Sequence, residues 1–458
     1  MNAPFRLSLD EVAEACGGRR VGSGTVVAGV SSDSRSVAPG ELFVALRGDK
    51  FDAHDFLPAA IGRGAAAALV ARELPGLSVP QVVVADTRLA LGRIASHWRS
   101  RFAAPMLALT GSNGKTTVKE MLREILAAHT GDAAAVHVTA GNLNNDIGVP
   151  LTLLAQRAQH RYAVIEMGMN HLGEIANLVR MANPDVALVI MAGTAHIGEL
   201  GSREAIARAK GEIIAGLRED GTAVINMHDR FGPYWLGLAN GRRIVTFGLS
   251  GEDNVVGEFN GPVTTLRHAG SEVHVRLAIP GRHNAMNALA AAAGAIALKV
   301  PLPVIARGLE SFRGVPGRGQ RFAGHNSATI IDDTYNANVE SVKAAVQVLM
   351  AMPAPRILVL GDMGELGDQA EVLHREAGAY AREAGVGHLY ALGTMSEFAA
   401  AAFGARALHF TEVEPLVATL KAQLAPGTSV LVKGSRFMRM ERVVAALVPG
   451  YHAPFGHC

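Results

Sequence analysis

The clearest pattern of apolar and polar positions in the chain spans residues 105–126. An unbroken apolar run at 106–109 predicts a buried strand. The apolar residues that follow recur at i, i+3, i+4 and i+7, the spacing of an amphipathic helix: Val118, Met121, Leu122 and Ile125. The segment 110–117 therefore joins a strand to a helix.

The rest of the pattern predicts three domains, at residues 1–84, 85–315 and 316–458. The first begins with a predicted helix at 7–16, and the second and third alternate strands and helices, as parallel sheets require. Short aliphatic runs predict the remaining strands of the three domains: 25–30 and 42–45; 162–166, 186–190 and 223–226; 329–333, 357–360, 388–392 and 429–432. Alanine runs are interpreted as ordinary helix-forming sequence.

The composition and charge of the chain limit the classes of protein to which it can belong. The 458 residues suffice for about three domains, and 49% of them are apolar, enough to give each domain a core. A formal net charge of +2 offers no concentrated basic patch for nucleic acid or an anionic membrane. Cys16 and Cys458 lie at opposite ends of the chain, which fits a reducing compartment and excludes a disulfide or zinc framework. With no signal-peptide core and no apolar run of membrane-spanning length, we expect a cytoplasmic protein without stable membrane insertion.

The segment between the first strand and helix has the composition of a phosphate-binding loop: Gly111, Ser112, Asn113, Gly114, Lys115, Thr116 and Thr117. Glycines let successive N–H groups converge on one anion, and the helix N-terminus adds its positive dipole end. Lys115 would reach the terminal phosphates, and the Thr116 hydroxyl would offer Mg²⁺ an oxygen ligand. Only two residues separate the glycines, instead of the usual four. The alternative is a Gly-Asn turn before a surface helix.

Together with the pattern of strands and helices, this loop predicts the fold class. We expect an α/β protein of three domains, with a central P-loop-type ATPase domain built on a parallel sheet. A smaller α/β domain precedes it, and a Rossmann-like domain follows it. Ligands of such sheets collect at the carboxyl ends of the strands.

Two carboxylates stand at such strand ends. Glu166 ends the strand predicted at 162–166, and Asp362 follows the strand at 357–360. Either would help to hold the Mg²⁺ of a bound nucleotide, and periodicity does not choose between them. The alternative is a carboxylate that faces solvent.

Lys210 falls on what should be the apolar face of a helix, with Ile206, Ile213 and Leu217. Because burying an unpaired ammonium is costly, the side chain either extends to solvent or is paired or chemically modified. A neutral lysine amine can add carbon dioxide and become a carbamate, a carboxylate-like metal ligand. His196, in the preceding loop, would join it at a metal, although a lone loop histidine is more often solvated.

Two further loops have polar compositions. Asn144 and Asn145 lie in an amide-rich loop at 141–148 that suits carbonyls or sugar hydroxyls, but also a plain turn. The basic segment 433–436 ends a predicted strand. It would either bind an anion or form an exposed turn.

Two residue pairs suit the parts of a nucleotide. His283 and Asn287, four residues apart, would grip a nucleobase, with helix capping by Asn284 as the alternative. Ser34 and Arg35 suit a phosphate or a uracil edge, since arginine offers a planar fork of donors. For this second pair a solvated turn is the alternative.

Together these motifs resemble the Mur ligases of bacterial cell-wall synthesis over nearly the whole chain. The resemblance is carried by TGSNGKTT at 110–117, GNLNNDIG at 141–148, the Glu166 strand, AHIGELGS at 195–202, ARAK at 207–210, GRHNAMNA at 281–288, PGR at 316–318 and DDTYNAN at 332–338. Four segments are most similar to the members of this family that add D-alanyl-D-alanine. They are residues 33–56, the motifs DDTYNANVES and GDMGELG, and the terminal KGSR. Each motif alone is weak, and their order over three domains makes the match specific.

The resemblance implies a reaction and its partners. ATP would phosphorylate the terminal carboxylate of UDP-N-acetylmuramoyl-tripeptide, and the amine of D-alanyl-D-alanine would attack the acyl phosphate. The product would be the UDP-linked pentapeptide used for peptidoglycan. We expect the enzyme to act as a monomer.

The resemblance also implies roles for the candidate residues. Residues 111–117 would bind the phosphates through Lys115, and Thr116 and Glu166, rather than Asp362, would hold one Mg²⁺. His196 and a carbamylated Lys210 would serve a second Mg²⁺. The ATP site would be completed by His283, Asn287, Arg318 and Asp333. Ser34 and Arg35 would contact the uridine diphosphate, Asn144 and Asn145 would lie along the muramoyl peptide, and the third domain would bind the dipeptide and close over the second.

The alternative functions would differ from this one in their sequence motifs or in how they use ATP. A sibling Mur ligase that adds the third amino acid should carry a D-N-P-[RK] signature, which this sequence lacks. Folylpolyglutamate synthetase shares the core but should lack the DSR-type first domain. A P-loop ATPase of another purpose would turn over ATP without any peptide, and a nucleotide-gated binding module would not turn it over.

Overall fold

The computed structural model describes residues 4–48, 51–260, 263–279 and 281–453 and places them in four β-sheets with helices against their faces. This confirms the predicted α/β class. Cys458 and the first three residues, on which some of the sequence predictions depended, lie outside the described residues. Cys16 is a free, buried thiol. Within the described ranges, no helix combines the length and apolarity needed to cross a bilayer.

The first predicted domain is a small sheet with flanking helices. Its elements are β1 (Leu7–Ser8), α1 (Leu9–Cys16), β2 (Arg19–Val21), β3 (Val26–Val27), β4 (Val30–Ser31), β5 (Leu42–Val44), α2 (Leu57–Gly62), β6 (Ala67–Val70) and β7 (Gln81–Val83), with a 3₁₀ turn at Ala53–Phe56. The sheet order is β2-β7-β6-β5-β4, parallel except for β2, and β1 pairs separately with β3.

The second predicted domain contains the largest sheet. Its strands are β8 (Met106–Thr110), β9 (Val136–Val138), β10 (Tyr162–Glu166), β11 (Val186–Val189), β12 (Thr222–Asn226), β13 (Arg243–Gly248), β14 (Val255–Asn260), β15 (Val263–His268) and β16 (Ser271–Arg276). Its helices are α3 (Thr87–Arg99), α4 (Lys115–Thr130), α5 (Gly148–Leu154), α6 (Glu174–Ala182), α7 (Ile197–Leu200), α8 (Arg203–Ala215), α9 (Gly232–Leu238), α10 (Arg282–Ala297) and α11 (Leu302–Ser311), with a 3₁₀ turn at Ala133–Ala135.

The sheet order is β16-β15-β14-β13-β12-β11-β8-β10-β9. All pairs from β9 to β14 are parallel, whereas β14, β15 and β16 form an antiparallel meander. We did not predict this meander, although the alternation of Glu272, Val273, His274, Val275 and Arg276 is the period-two pattern of a half-exposed strand. The predicted parallel core is confirmed.

Strand β8 is apolar from Met106 to Leu109 because helices cover both of its faces. Met106 and Ala108 belong to the core that includes α3, α6 and α8, whereas Leu107 and Leu109 belong to the core under α4, α10 and α11. The strand that leads to the phosphate loop is therefore fixed from both sides.

The alanine run of α10 has a larger role than we predicted. Its alanines are buried against the sheet and against α4. A Cβ atom at Gly294 would lie 2.9 Å from Leu107 Cδ1, so this helix approaches the sheet too closely for larger side chains. Small residues here set the distance between α10 and the phosphate loop.

The third predicted domain is a second, mostly parallel sheet. Its strands are β17 (Gln320–Ala323), β18 (Thr329–Asp333), β19 (Arg356–Gly361), β20 (His388–Leu392), β21 (Ala407–Phe410) and β22 (Ser429–Lys433), in the order β17-β18-β22-β19-β20-β21 with only β17 antiparallel. Its helices are α12 (Val339–Met350), α13 (Ala370–Glu383), α14 (Ser396–Phe403), α15 (Val413–Gln423) and α16 (Glu441–Leu447), with 3₁₀ turns at His325–Ser327, Gly367–Gln369 and Arg436–Met438. The exact domain bounds, at 84 and 315, stay predictions, since α3 packs on both α1 and α5.

A buried histidine in the central domain predicts a pH-dependent stability. His137 Nε2 lies 2.7 Å from the Thr152 carbonyl oxygen, and its ring stacks on that of His160 with centroids 4.8 Å apart. Burial lowers the pKa of His137 to about 4. The unfolded chain therefore binds a proton more readily, so stability falls as the pH drops from about 6.5 towards about 4.

We expect the free energy of unfolding to fall by about 2 kcal/mol between about pH 7 and about pH 5 because of this group. Urea titrations followed by tryptophan fluorescence measure the change. His137→Gln should flatten the pH dependence, and the control His452→Gln, at an exposed position, should keep it. An unchanged pH dependence in His137→Gln would contradict the assignment.

Candidate active site

A cavity of about 720 Å³ opens between the central sheet and the third domain. Most of the candidate residues line it: Ser112, Asn113, Gly114, Lys115, Thr117, Asn144, Asn145, Glu166, His196, His283, Asn287, Arg318 and Asp333. The carboxyl ends of β8, β10 and β11 point to this cavity, as expected for a parallel sheet.

The phosphate loop is held in a conformation that needs glycine. Gly114 is the N-cap of α4 with φ 83°, and a Cβ atom there would collide with Asn287 Oδ1 of α10. The Ser112 hydroxyl accepts a hydrogen bond from the Gly193 N–H at 2.8 Å, and the Ser112 N–H donates to the Met191 carbonyl at 3.0 Å. The loop is thus tied to the segment after β11.

Lys115 lies at the first turn of α4 with its ammonium turned back over the loop. Its Nζ donates to the Gly111 carbonyl at 2.8 Å. Burial in the cavity wall lowers the pKa of Lys115, and the charge of Glu166 opposes that shift. Since its bonded partner is a neutral carbonyl, the ammonium keeps its charge available for an anion.

Glu166 is fixed by groups from three segments. The Thr116 hydroxyl donates to its Oε2 at 3.0 Å, and Asn144 Nδ2 donates to its Oε1 at 2.8 Å. Arg318 Nη2 donates to Thr116 Oγ1 at 3.1 Å, and the guanidinium stacks 4.2 Å above the centre of the Tyr335 ring. The Glu166 carboxylate lines the cavity, and the Thr116 hydroxyl is bonded to it; both are hard oxygen donors of the kind that Mg²⁺ prefers.

Within the part of the chain that the structure describes, no group of three or more His, Cys, Asp or Glu side chains forms a ready-made metal site. Mg²⁺ does not require one, because it usually keeps several waters and is held by one or two carboxylates together with substrate phosphates. The arrangement of Thr116 and Glu166 fits that mode of binding.

Asp362, the other carboxylate at a strand end, has a different environment. Its Oδ1 accepts the Ser396 N–H at 2.7 Å, and its Oδ2 accepts the Thr394 N–H at 2.9 Å. These bonds fix the loop before α14 and engage both oxygens. The geometry therefore favours a structural function for Asp362.

Lys210 of α8 is 1% exposed. The alternative in which its side chain extends to solvent is therefore wrong. Among the described residues its ammonium has no ion-pair partner, and burial, with the nearby charge of Lys115, lowers the pKa of Lys210 well below its usual range. This shift favours the neutral amine, the form that reacts with carbon dioxide.

His196 precedes the short helix α7 and meets a residue that we did not predict. Its Nδ1 lies 2.8 Å from Glu365 Oε2 of the third domain. This contact is the main cause that holds the pKa of Glu365 below its usual range. Glu365 belongs to the GDMGELG motif. In the sequence this motif supported the family resemblance, but it did not predict a contact with His196.

Two further polar contacts join the third domain to the phosphate-binding region. Asn113 and Asn338 exchange amide hydrogen bonds of 3.2 and 2.9 Å. Glu340 Oε2 accepts bonds from the Thr194 N–H at 3.2 Å and from its hydroxyl. The only sequence signal for Asn338 and Glu340 was their proximity to Asp333 in the motif DDTYNANVES.

The basic segment 433–436 is neither exposed nor unpaired. Lys433 Nζ donates to Asp333 Oδ2 at 2.7 Å and to the Asn336 carbonyl at 2.8 Å. Arg436 pairs with Glu441 at 2.9 Å. Internal carboxylates therefore balance the charge of this segment.

Ser34 and Arg35 lie in the loop between β4 and β5 and do not line the cavity described above. The exposed Arg35 guanidinium pairs with Asp33 at 2.7 Å and holds the pKa of that carboxyl at about 2. The contact of Ser34 and Arg35 with a uridine diphosphate stays a prediction.

Comparison with known proteins covers nearly the whole chain. Residues 109–295 match the Mur ligase middle domain, residues 317–436 the Mur ligase glutamate ligase domain, and residues 26–99 the catalytic domain of the Mur ligase family. UDP-N-acetylmuramoyl-tripeptide–D-alanyl-D-alanine ligase of Escherichia coli K12 is 41% identical over 449 residues, which cover 96% of this chain and 98% of that protein.

Solved structures give the same result. MurF from Acinetobacter baumannii superimposes with a TM-score of 0.91 at 36% identity, covering 96% of this chain and 98% of that one. MurF ligase from Thermotoga maritima in complex with ADP superimposes with a TM-score of 0.81 at 28% identity, covering 91% and 96%. By its sequence, its three matched domains and its fold, the chain belongs to the Mur ligase family.

Proposed function

We propose that this protein is an ATP-dependent ligase that joins D-alanyl-D-alanine to UDP-N-acetylmuramoyl-tripeptide. The observation that carries the proposal is the near full-length similarity to the E. coli ligase of that name. The cavity supports it, because a phosphate loop, a fixed carboxylate and residues of two domains surround one volume. Since the proposed site uses residues of a single chain, the reaction needs no second copy.

The reaction must bring two anions into contact. A carboxylate oxygen of the tripeptide attacks the γ-phosphorus of ATP, and the bond to the ADP oxygen breaks. The uncharged amine of the dipeptide then attacks the acyl carbon, inorganic phosphate leaves and the nitrogen loses a proton. Lys115 and the N–H groups of residues 111–117 would offset the charge of the phosphates, which is the main requirement in phosphoryl transfer.

Four residues would hold the metal ions. Thr116 and Glu166 would bind one Mg²⁺, and His196 and a carbamylated Lys210 a second. When bound, Mg²⁺ neutralises the charge that develops on the phosphate oxygens. The lowered pKa of Lys210 and the lack of an ion-pair partner for it among the described residues support this assignment, because carbamylation would replace an isolated buried amine with an anion near Lys115.

The remaining candidates would orient substrates. His283 and Asn287 would contact the adenine, and Arg318 and Asp333 would complete the ATP site from the third domain. Asn144 and Asn145 would lie along the muramoyl peptide, with Ser34 and Arg35 at its uridine diphosphate end.

Closure of the third domain has a chemical purpose in this scheme. Water would hydrolyse the acyl phosphate, so the cavity must be covered during the reaction. The contacts of Asn338 and Glu340 with the central domain support such a closed arrangement. The dipeptide would enter on the side of the third domain. Because ATP and UDP-linked precursors are cytoplasmic substrates, we expect the enzyme to act there.

The first test is phosphate release from MgATP. Release should require both UDP-N-acetylmuramoyl-tripeptide and D-alanyl-D-alanine, with a pentapeptide product by mass. Lys115→Ala should lower kcat by about 10³-fold, because it removes a charge that acts on the transferred phosphate. Lys421→Ala, at an exposed position of α15, should change nothing. Phosphate release that ignores both substrates would favour an ATPase of another purpose.

The second test concerns Lys210. With ¹³C-labelled bicarbonate, NMR should show a carbamate signal that is absent from Lys210→Ala and present in Lys421→Ala. Activity should fall in buffer freed of carbon dioxide and return with bicarbonate, and Lys210→Ala should lose about 10²-fold or more in kcat. Wild-type protein that lacks the signal and ignores bicarbonate would contradict the carbamate.

A further inference from the structure

The segment 364–367 of the third domain docks directly on the segment 196–201 of the central domain. The Gly198 N–H donates to the Glu365 carbonyl oxygen at 3.0 Å. A Cβ atom on Gly198 would lie 2.6 Å from the Gly367 nitrogen, and one on Gly367 would lie 2.9 Å from Gly198 Cα. The two backbones touch because neither glycine has a side chain.

The two side chains that meet beside this contact share an unusual backbone conformation. His196 has φ 66° and Glu365 has φ 61°, both in the left-handed region. This conformation costs a non-glycine residue roughly 1 kcal/mol or more and persists only where surrounding contacts impose it. Strain of this kind is concentrated at functional sites.

The contact between these side chains contributes little to stability. The Glu365 side chain is 56% exposed and that of His196 is 19% exposed, and solvent weakens such a pair to about 0–1 kcal/mol. Its effect is on orientation: the carboxylate lies 2.8 Å from the buried Nδ1 of His196 without the geometry of a hydrogen bond, and it occupies that edge of the ring, which leaves Nε2 as the nitrogen able to meet a ligand. Carboxylates beside metal-binding histidines fix the orientation of the ring.

We propose that Glu365 is a positioning residue that fixes the His196 ring for the second metal ion, and that it does so only when the third domain is docked on the central domain. The inference rests on the proposed function, which gives His196 a metal to bind. Docking at Gly198 and Gly367 would then complete the second metal site. Phosphoryl transfer would be favoured only after the domain that brings the dipeptide has closed.

Mn²⁺ binding provides a test that does not depend on catalysis. Mn²⁺ is titrated into the full-length protein with a non-hydrolysable ATP analogue and followed by EPR, and thermal unfolding is measured for each variant. We expect two Mn²⁺ sites in the wild type. Glu365→Ala should weaken one of them by about 10–100-fold and leave the other unchanged, with the same unfolding midpoint.

Three variants complete the design. Glu365→Gln keeps an acceptor oxygen at the same reach, so it should lose less affinity than Glu365→Ala. Gly367→Ala collides with Gly198 and should weaken the same Mn²⁺ site, although it changes neither His196 nor Glu365. Glu272→Ala is the matched control, because Glu272 lies 3.4 Å from His274 on β16, outside the cavity. It should bind both ions as the wild type does.

The outcomes separate this inference from the proposed function. If the ligase reaction is observed but Glu365→Ala binds both Mn²⁺ ions with wild-type affinity, the positioning function is overturned and the ligase stands. If the wild type binds only one Mn²⁺, the inference is overturned as well. Loss of one site in both Glu365→Ala and Gly367→Ala would support it even if phosphate release required neither substrate.

Discussion

Buried lysine side chains without a carboxylate partner are the constraint on which the rest of this site depends. Lys115 is bonded to a neutral carbonyl, and Lys210 is buried beside it without an ion-pair partner among the described residues. Glu166 is shared with the Thr116 hydroxyl and an asparagine amide, so it offsets this charge only in part. In the proposed function, a bound polyphosphate would supply negative charge beside these lysines.

Close backbone contacts determine where these charges lie. Gly114 lets the phosphate loop pass under Asn287 of α10, and the alanines of α10 let that helix lie close to the sheet. Gly198 and Gly367 do the same between two domains. At each of these positions an added methyl group would push neighbouring polar groups apart. Small displacements of this kind are enough to disturb the positioning of reacting groups.

The sequence predicted the features that depend on residues close to one another in the chain. Apolar runs predicted the parallel strands, and the composition of residues 111–117 predicted a phosphate-binding loop because these residues are continuous in the chain. Lys210 was recognised because its helix is otherwise apolar on that face. Periodicity left the choice between Glu166 and Asp362 open, because both follow a strand, and the family resemblance favoured Glu166; in the structure the neighbouring donor groups of the two carboxylates differ.

Contacts between domains were not predictable in this way. Asn113 and Asn338 are 225 residues apart, and each is an ordinary loop or capping residue in its own segment. Glu365 and His196 likewise produce no periodic pattern, and their left-handed backbone angles favour no particular residue type apart from glycine and asparagine. The antiparallel strands β15 and β16 were not predicted, although an alternating pattern is present at residues 272–276.

The proposed carbamylation of Lys210 would link the electrostatics to the reaction. A buried ammonium near Lys115 would add like charge to a poorly hydrated region, which lowers the pKa of Lys210 and favours its neutral form. Addition of carbon dioxide to the neutral amine would create an anion near Lys115, able to serve the metal ions that the proposed reaction requires. Burial thus disfavours the cationic form of this lysine and favours the amine that would become a metal ligand. Glu365, from the third domain, would orient His196 for the same metal ion.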